Sequence, residues 1–233
     1  MNKSQLHFPK IGSTNTYAKE HAQDFDRDTL TIISAGEQTE GRGRGTHTWT
    51  SPPGVNLYLS FCSFVSKDFH SLHNCAQLLA LSCSDLLRQL GLSSALKWPN
   101  DVLIQQKKVA GILCDLVDCG DQTLVVNGMG LNVNLSEEEC SQISENATSL
   151  FVESGQKLER EDLKERLINI YSNHWSQFQK EGFSPFLETY RNRLMKVHAF
   201  HVEGQLVEGE FHSLGDDGSL NIVLADGQIA NFV

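Results

Sequence analysis

The alternation of hydrophobic and polar residues predicts an α/β fold. Short apolar, β-branched runs predict strands at residues 30–35, 55–61, 95–104, 108–116 and 123–126. The stretch 95–104 is interpreted as two strands joined by a Pro-Asn-Asp turn. Apolar residues at three- and four-residue steps predict long helices at residues 72–90 and 163–178, with Gly91 and Gly182 as their stops. A short helix is predicted at residues 17–22, after a capping-rich stretch at 12–16.

The pattern changes near Arg193, where the predicted elements become short and are all strands. Turns rich in glycine and aspartate separate apolar runs at residues 197–202, 206–211, 220–224 and 229–232. Such a region is too small to hold a large core of its own. The sequence therefore predicts two parts, residues 1–190 and a small all-β module at residues 191–233.

Composition narrows the class of protein. With 233 residues, the chain can form one good-sized domain and a small appendage. A formal net charge of −10 argues against a general nucleic-acid binder, although a locally basic pocket could still hold a small anion. The sequence shows no membrane-spanning apolar run, no signal peptide and no CxxC pair among its six cysteines. We therefore expect a cytoplasmic protein with reduced cysteines.

The most unusual stretch is residues 41–46, which read GRGRGT. Glycine makes a loop costly to order, and two neighbouring arginines repel each other. Arginine grips carboxylate or phosphate with a planar fork, and glycine lets backbone N–H groups approach an anion. The stretch is interpreted either as an anion-binding loop or as a solvated surface loop. The sequence matches neither the dinucleotide fingerprint nor the Walker pattern, because Thr46 replaces the required glycine and no Gly-Lys-Ser/Thr follows.

Several stretches resemble, in order, the motifs of biotin–protein ligases. They are residues 13–15 (STN), Gln38 with residues 41–44 (GRGR), residues 97–101 (KWPND), 108–113 (KVAGIL), 128–132 (GMGLN) and 147–150 (ATSL). The resemblance covers nearly the whole chain. It implies a mixed α/β catalytic domain related to class II aminoacyl-tRNA synthetases, followed by a small SH3-like barrel. About a dozen residues precede Ser13, so we expect the enzyme without the DNA-binding domain that some family members carry.

The resemblance also implies a reaction and its participants. Enzymes of this family join biotin to ATP as biotinyl-5′-adenylate and pass biotin to one lysine of a biotin carboxyl carrier protein. ATP and biotin would be the substrates, and Mg²⁺ would assist. We expect no DNA or membrane partner, and a monomer or a homodimer.

Site residues follow from the same resemblance. Arg44 and Lys108 would be catalytic, and Asp101 would order Mg²⁺. Biotin would contact Ser13, Thr14, Asn15, Gln38, Arg42, Gly43, Arg44, Lys108 and Gly111. ATP or the adenylate would contact Arg44, Trp49, Asn100, Lys108 and Asn132. The arginine loop would fold over the adenylate and exclude water.

One departure from the family motif and two alternative functions remain open. The family loop usually reads Gly-Arg-Gly-Arg-x-Gly, whereas Gly45 and Thr46 end the motif here, so the loop geometry at these positions is not predicted. A lipoate or octanoate ligase or transferase would share the fold but would need an apolar tunnel without a polar head site. A non-catalytic biotin- or RNA-binding module is the alternative from a different class.

Overall fold

The computed structural model describes residues 1–195, 199–202 and 205–232, and the side chains of residues 199–202, 205 and 206 are not described. Within these ranges the chain forms twelve strands and six α-helices. The strands are β1 (Asn2–Phe8), β2 (Thr29–Ala35), β3 (Leu57–Ser66), β4 (Ala95–Lys97), β5 (Asp101–Ile104), β6 (Lys107–Asp118), β7 (Gln122–Leu131), β8 (Ala199–Val202), β9 (Gln205–Glu208), β10 (Glu210–Leu214), β11 (Leu220–Val223) and β12 (Ile229–Phe232). The helices are α1 (Thr14–Glu20), α2 (Cys75–Gln89), α3 (Glu137–Ile143), α4 (Leu150–Ser154), α5 (Arg160–Glu181) and α6 (Ser184–Arg193).

A seven-stranded mixed sheet forms the centre of the molecule. Its strand order is β1-β2-β3-β7-β6-β5-β4, and all neighbours are antiparallel except β1 and β2. Helices α2 and α5 cover one face of the sheet, while α1 packs on β3 and β7 across the other face. The prediction of an α/β fold is confirmed.

The main core lies between the sheet and the helices α2 and α5. The apolar stripe of α5 brings Tyr171, Trp175 and Phe178 into this core, and all three are almost completely buried. Full burial of one large apolar side chain contributes roughly 1.5–3 kcal/mol. The packing of amphipathic faces therefore explains why the two long predicted helices form.

Most predicted elements occur, but their ends differ. Strand β3 begins two residues later than predicted and continues to Ser66, and β7 continues through the two glycines to Leu131. A short 3-10 turn at Leu72–Asn74 precedes α2. Strand β1 was missed because it is an exposed edge strand without an apolar pattern, and α3, α4 and α6 were also missed.

The C-terminal region is a small β module, as predicted. Strands β10, β11 and β12 form one antiparallel sheet, and β8 pairs with β9. The run predicted at 206–211 is interrupted at Gly209, and residues 197 and 198 of the first predicted run lie outside the described residues. Leu214, Leu220 and Ile222 are buried in the main core. The division after residue 190 stays a prediction.

No helix among the described residues combines the length and the apolar character needed to cross a membrane.

His174 lies on α5 at the edge of the core. Ser82 Oγ lies 2.8 Å from its Nδ1, and the Asp85 carboxylate lies 3.4 Å from its Nε2. Burial lowers the pKa of His174, the negative charge of Asp85 opposes this shift, and the positive charge of Arg193 adds to it. The folded protein therefore favours the neutral imidazole more than the unfolded chain does.

We predict that this histidine makes the protein less stable to acid. Its contribution is present above the unfolded pKa of about 6.5 and is lost as pH falls through the lowered folded pKa, because the unfolded chain then binds more protons. Urea unfolding at several pH values should show a smaller loss of free energy of unfolding on acidification in His174→Gln than in wild type. An identical pH dependence in both proteins would contradict this assignment.

Candidate functional site

One cavity of about 780 Å³ lies on the α1 face of the sheet. Pockets for small molecules usually fall between about 300 and 1,000 Å³. Twelve of the thirteen residues that the sequence predicts as site residues line it, namely Ser13, Thr14, Asn15, Gln38, Arg42, Gly43, Arg44, Trp49, Asn100, Asp101, Lys108 and Gly111. Residues from separate parts of the chain therefore meet around one space.

Glycine residues of the sheet form the floor of the cavity. Along β7, Leu124 and Val126 belong to the apolar cluster under α1, and the next residues on that face are Gly128 and Gly130. Gly111 of β6 pairs with Gly130. The sheet stays regular here, so the glycines open space above a continuous strand rather than form a bulge.

Two neighbouring side chains occupy the space above these glycines. A Cβ atom at Gly128 would overlap the amide of Asn15, and one at Gly130 would overlap the indole of Trp49. A Cβ atom at Gly111 would lie 2.9 Å from Trp49 Cζ3. The glycines are therefore required for Asn15 and Trp49 to approach the sheet.

A network of polar side chains forms one wall of the cavity. Ser13 accepts a hydrogen bond from the Thr16 N–H and caps α1, which leaves the next two side chains available for other contacts. The Thr14 N–H and hydroxyl both donate to Gln38 Oε1, at 2.9 and 3.1 Å. Ser60 Oγ lies 2.8 Å from Thr14 Oγ1 and 2.6 Å from Asn15 Oδ1. Neighbouring groups thus fix the orientation of these side chains.

Asp115 joins this wall to the arginine loop and was not predicted. Its Oδ2 accepts from Asn15 Nδ2 at 3.0 Å and from Arg42 Nη1 at 3.2 Å, and Lys19 lies 3.3 Å from Oδ1. The signal in the sequence is a carboxylate in the apolar strand β6, two residues after Leu113 and four after Gly111, on the same face. One acidic side chain therefore holds two predicted site residues.

The arginine loop forms a hairpin of its own. Gly43 N–H donates to the His47 carbonyl at 2.8 Å, and Trp49 N–H donates to the Gly41 carbonyl at 2.9 Å. Gly45 lies in the turn with φ of +59°, a left-handed conformation that costs glycine little. Backbone hydrogen bonds and the contact of Arg42 with Asp115 therefore hold the loop in this conformation, and its binding of an anion stays a prediction.

Lys108 and Asp101 form an ion pair at the cavity wall. The Lys108 Nζ atom lies 2.7 Å from Asp101 Oδ1 and 5.4 Å from the centre of the Trp49 ring. Arg44, in the loop, is exposed. Four cations, Arg42, Arg44, Lys97 and Lys108, thus line a cavity in a chain with a strongly negative net charge. Such a site attracts anionic groups of a ligand.

Asn132 is the predicted site residue that does not line the cavity. It is buried, and its Nδ2 donates to the Thr148 carbonyl at 3.0 Å. Thr148 N–H in turn donates to the Lys108 carbonyl at 3.0 Å. Asn132 therefore supports the segment that holds the backbone of Lys108, and it contacts the cavity only indirectly.

Two observations bear on what could bind. The buried Trp49 Nε1 has no hydrogen-bond partner within the part of the chain that the structure describes, and buried indole N–H groups usually have one. No group of three or more His, Cys, Asp or Glu side chains among the described residues is arranged to hold a metal ion. Mg²⁺ often binds through one carboxylate and substrate phosphates, which a single residue such as Asp101 could satisfy.

We predict that Gly130→Ala displaces the Trp49 ring, because the new methyl group would overlap it. Tryptophan emission should shift to longer wavelength, and quenching by acrylamide should increase. The matched control is Gly128→Ala, which overlaps Asn15 instead and should leave the emission unchanged. The effect should also vanish in a Trp49→Phe background. An unchanged spectrum in Gly130→Ala would refute the contact.

Known proteins are similar to this chain in sequence and, for solved structures, in fold. A bifunctional ligase/repressor, BirA of Escherichia coli, is 32% identical over 184 residues, and the match covers 78% of this chain but 56% of that protein. A biotin–[acetyl-CoA-carboxylase] ligase of Mycobacterium tuberculosis is 32% identical over 221 residues, with 91% of this chain and 80% of the relative covered. The biotin protein ligase of Aquifex aeolicus, solved in complex with biotin and ATP, has a TM-score of 0.81 and 28% identity, with 98% of this chain and 95% of that chain covered.

The family model described as the biotin/lipoate A/B protein ligase family matches residues 7–132, which include every residue that lines the cavity. Together with the fold and with the 32% identity over most of the Mycobacterium tuberculosis relative, this match leads to one conclusion. The chain belongs to the biotin/lipoate A/B protein ligase family.

Proposed function

We propose that the protein is an ATP-dependent biotin–protein ligase. It activates biotin as biotinyl-5′-adenylate and transfers biotin to one lysine of a biotin carboxyl carrier protein, such as the carrier of an acetyl-CoA carboxylase. The observation that carries the proposal is one cavity that combines a network of hydrogen-bonding side chains with four cations. A ligand with a polar head and a carboxylate matches both parts.

The polar wall favours biotin over lipoate or a fatty acid. Thr14 and Asn15 line this wall, and an apolar head group placed against them would form no hydrogen bond with them. The cyclic urea of biotin offers two N–H donors and one carbonyl acceptor to such a wall. Lipoate and octanoate carry no hydrogen-bonding group at that end. The names of the Mycobacterium tuberculosis and Aquifex aeolicus relatives support the same choice.

The cations suit the first chemical step. An oxygen of the biotin carboxylate attacks the α-phosphorus of ATP, the bond to the β-phosphate breaks, and pyrophosphate leaves. Two anions must approach each other, so electrostatic stabilisation and positioning supply most of the catalysis. Lys108 would contact both the carboxylate and the α-phosphate, while Arg42, Gly43 and Arg44 would cover them. Lys108 and Arg44 are the catalytic residues of this proposal.

Each of two cations already has a carboxylate partner that the substrates would replace or share. Arg42 contacts Asp115, and Lys108 contacts Asp101. These pairs hold the positive groups in place. The 2.7 Å separation between Lys108 Nζ and Asp101 Oδ1 is typical of a charge-assisted hydrogen bond. Substrate carboxylate and phosphate oxygens would therefore meet preoriented cations.

The nucleotide would lie along Trp49, Asn100 and Asp101. The Trp49 ring would form a wall for the adenine, and Asn132 supports Lys108 from behind through Thr148. When bound, Mg²⁺ would offset phosphate charge, with Asp101 as its ligand from the chain.

In the second step the carrier lysine amine attacks the biotinyl carbonyl and AMP leaves. We propose that the reaction takes place in the cytoplasm.

Exchange of labelled pyrophosphate into ATP tests this proposal directly. We predict exchange that depends on biotin and is absent with lipoate or octanoate, because these acids lack the polar head. Exchange with a fatty acid instead of biotin would overturn the substrate. Binding of biotin without any exchange would indicate a non-catalytic binding protein.

We predict that Lys108→Ala slows adenylate formation far more than it weakens biotin binding. Its charge matters most where the two anions react, and loss of one such group typically costs on the order of 10²–10³ in kcat. Single-turnover formation of the adenylate and calorimetric titration with biotin measure the two effects. Lys107→Ala, which removes a neighbouring exposed lysine, is the matched control. Equal losses in rate and affinity would show a ground-state contact only.

A further inference from the structure

A turn of the C-terminal module is inserted against the active-site segment Trp98–Asp101. This turn, residues 215–219, joins β10 to β11. The Gly218 carbonyl accepts a hydrogen bond from Gln77 Nε2 of α2 at 2.8 Å and another from Trp98 Nε1 at 3.2 Å. The neighbouring Asp217 carbonyl accepts from Asn74 Nδ2 at 2.6 Å. One turn of the small module therefore contacts both α2 and the segment that lines the cavity.

The contact of this turn with α2 and with Trp98, here called the junction, is buried and specific. Gln77 is 2% exposed and Trp98 is 7% exposed, so each of these N–H groups needs an internal acceptor. Gly218 adopts φ of +83°, and a Cβ atom there would lie 2.6 Å from Gln77 Oε1 and overlap the amide of Asn74. Only glycine fits this position with its carbonyl shared between the two donors.

Trp98 connects this junction to the ion pair of Asp101 and Lys108. It is followed by Pro99, whose carbonyl lies 3.4 Å from the Tyr190 hydroxyl, and by Asn100. Asn100 Nδ2 donates to the Ile112 carbonyl of β6 at 2.6 Å. The next residue is Asp101, the partner of Lys108. The segment is thus attached to the sheet at one end and to the C-terminal module at the other.

The polar wall of the cavity has different supports. Thr14 and Asn15 lie on α1 and contact Gln38, Ser60 and Asp115. None of these contacts passes through residues 215–219 or through Trp98. A disturbance of the junction should therefore affect the Asp101–Lys108 side of the cavity and leave the polar wall in place.

We propose that the Gly218 carbonyl positions the segment Trp98–Asp101, through the indole N–H of Trp98, for the ATP-dependent half-reaction. Gly218, Trp98 and Gln77 are positioning residues in this assignment, which rests on the proposed function. The small C-terminal module thereby contributes to adenylate formation without supplying a catalytic group. Burial and the negative charge of Asp101 raise the pKa of the Tyr190 phenol, which keeps its hydroxyl protonated as a donor to the Pro99 carbonyl.

The test is Trp98→Phe, which removes the N–H and keeps an aromatic ring. We expect biotin-dependent pyrophosphate exchange to fall roughly 10- to 100-fold in kcat, since small misplacements of reacting groups have effects of this size. The biotin Kd, measured by calorimetry, should stay within about twofold of wild type, because the polar wall is unchanged. A structural role alone would not separate these two quantities.

Trp175→Phe is the matched control. Its indole N–H donates to Ser63 Oγ at 2.9 Å in the main core, and Trp175 is not among the residues that line the cavity. This variant loses the same kind of buried hydrogen bond without touching the junction. Both variants should lower the free energy of unfolding, but exchange should stay close to wild type in Trp175→Phe.

Gln77→Met provides a second variant that keeps Trp98 itself and changes no residue that lines the cavity. It leaves Gly218 with one donor, so exchange should fall in the same direction while the biotin Kd is unchanged. Unaltered exchange in both Trp98→Phe and Gln77→Met, or equal losses of exchange and biotin affinity, would overturn the inference. Absence of exchange in the wild-type protein would instead overturn the proposed function, and the positioning role with it.

Discussion

The site depends on one constraint: the sheet must carry glycines, which have no side chain, on the part of its α1 face that forms the cavity floor. Strands β3, β6 and β7 are covered on their other face by the main core, so their position is fixed. On the α1 face, the row along β7 changes from Leu124 and Val126 to Gly128 and Gly130. This change lets Asn15 and Trp49 approach the backbone, and it creates the cavity without bending the sheet.

A second principle is that two of the cations have carboxylate partners within the chain. Asp115 and Asp101 orient Arg42 and Lys108, and Asp115 also orients Asn15. The same carboxylate therefore links the polar wall to the loop. In a cavity open to water such pairs contribute little to stability, so their main consequence is geometric. They explain how a strongly acidic protein can keep a local site for anions.

The C-terminal module is part of the active-site architecture rather than an appendage. Leu214, Leu220 and Ile222 share the main core, and the turn at Gly218 reaches the segment Trp98–Asp101. The buried carbonyl of Gly218 serves donors from two different elements. This arrangement connects a region with no predicted chemistry to the pair Asp101–Lys108.

The sequence by itself determined the α/β class and the two long helices, and its motifs contain twelve residues that line the cavity, whose roles there stay predictions. Apolar periodicity and short motifs are local signals, and they can be recognised without knowledge of the fold. Tertiary structure alone decided the roles of Asp115, Ser60 and Gly218, because each acts through contacts with residues distant in the chain. It also moved Asn132 behind the cavity wall and gave the arginine loop its own hairpin, since long-range hydrogen bonds and burial set these positions.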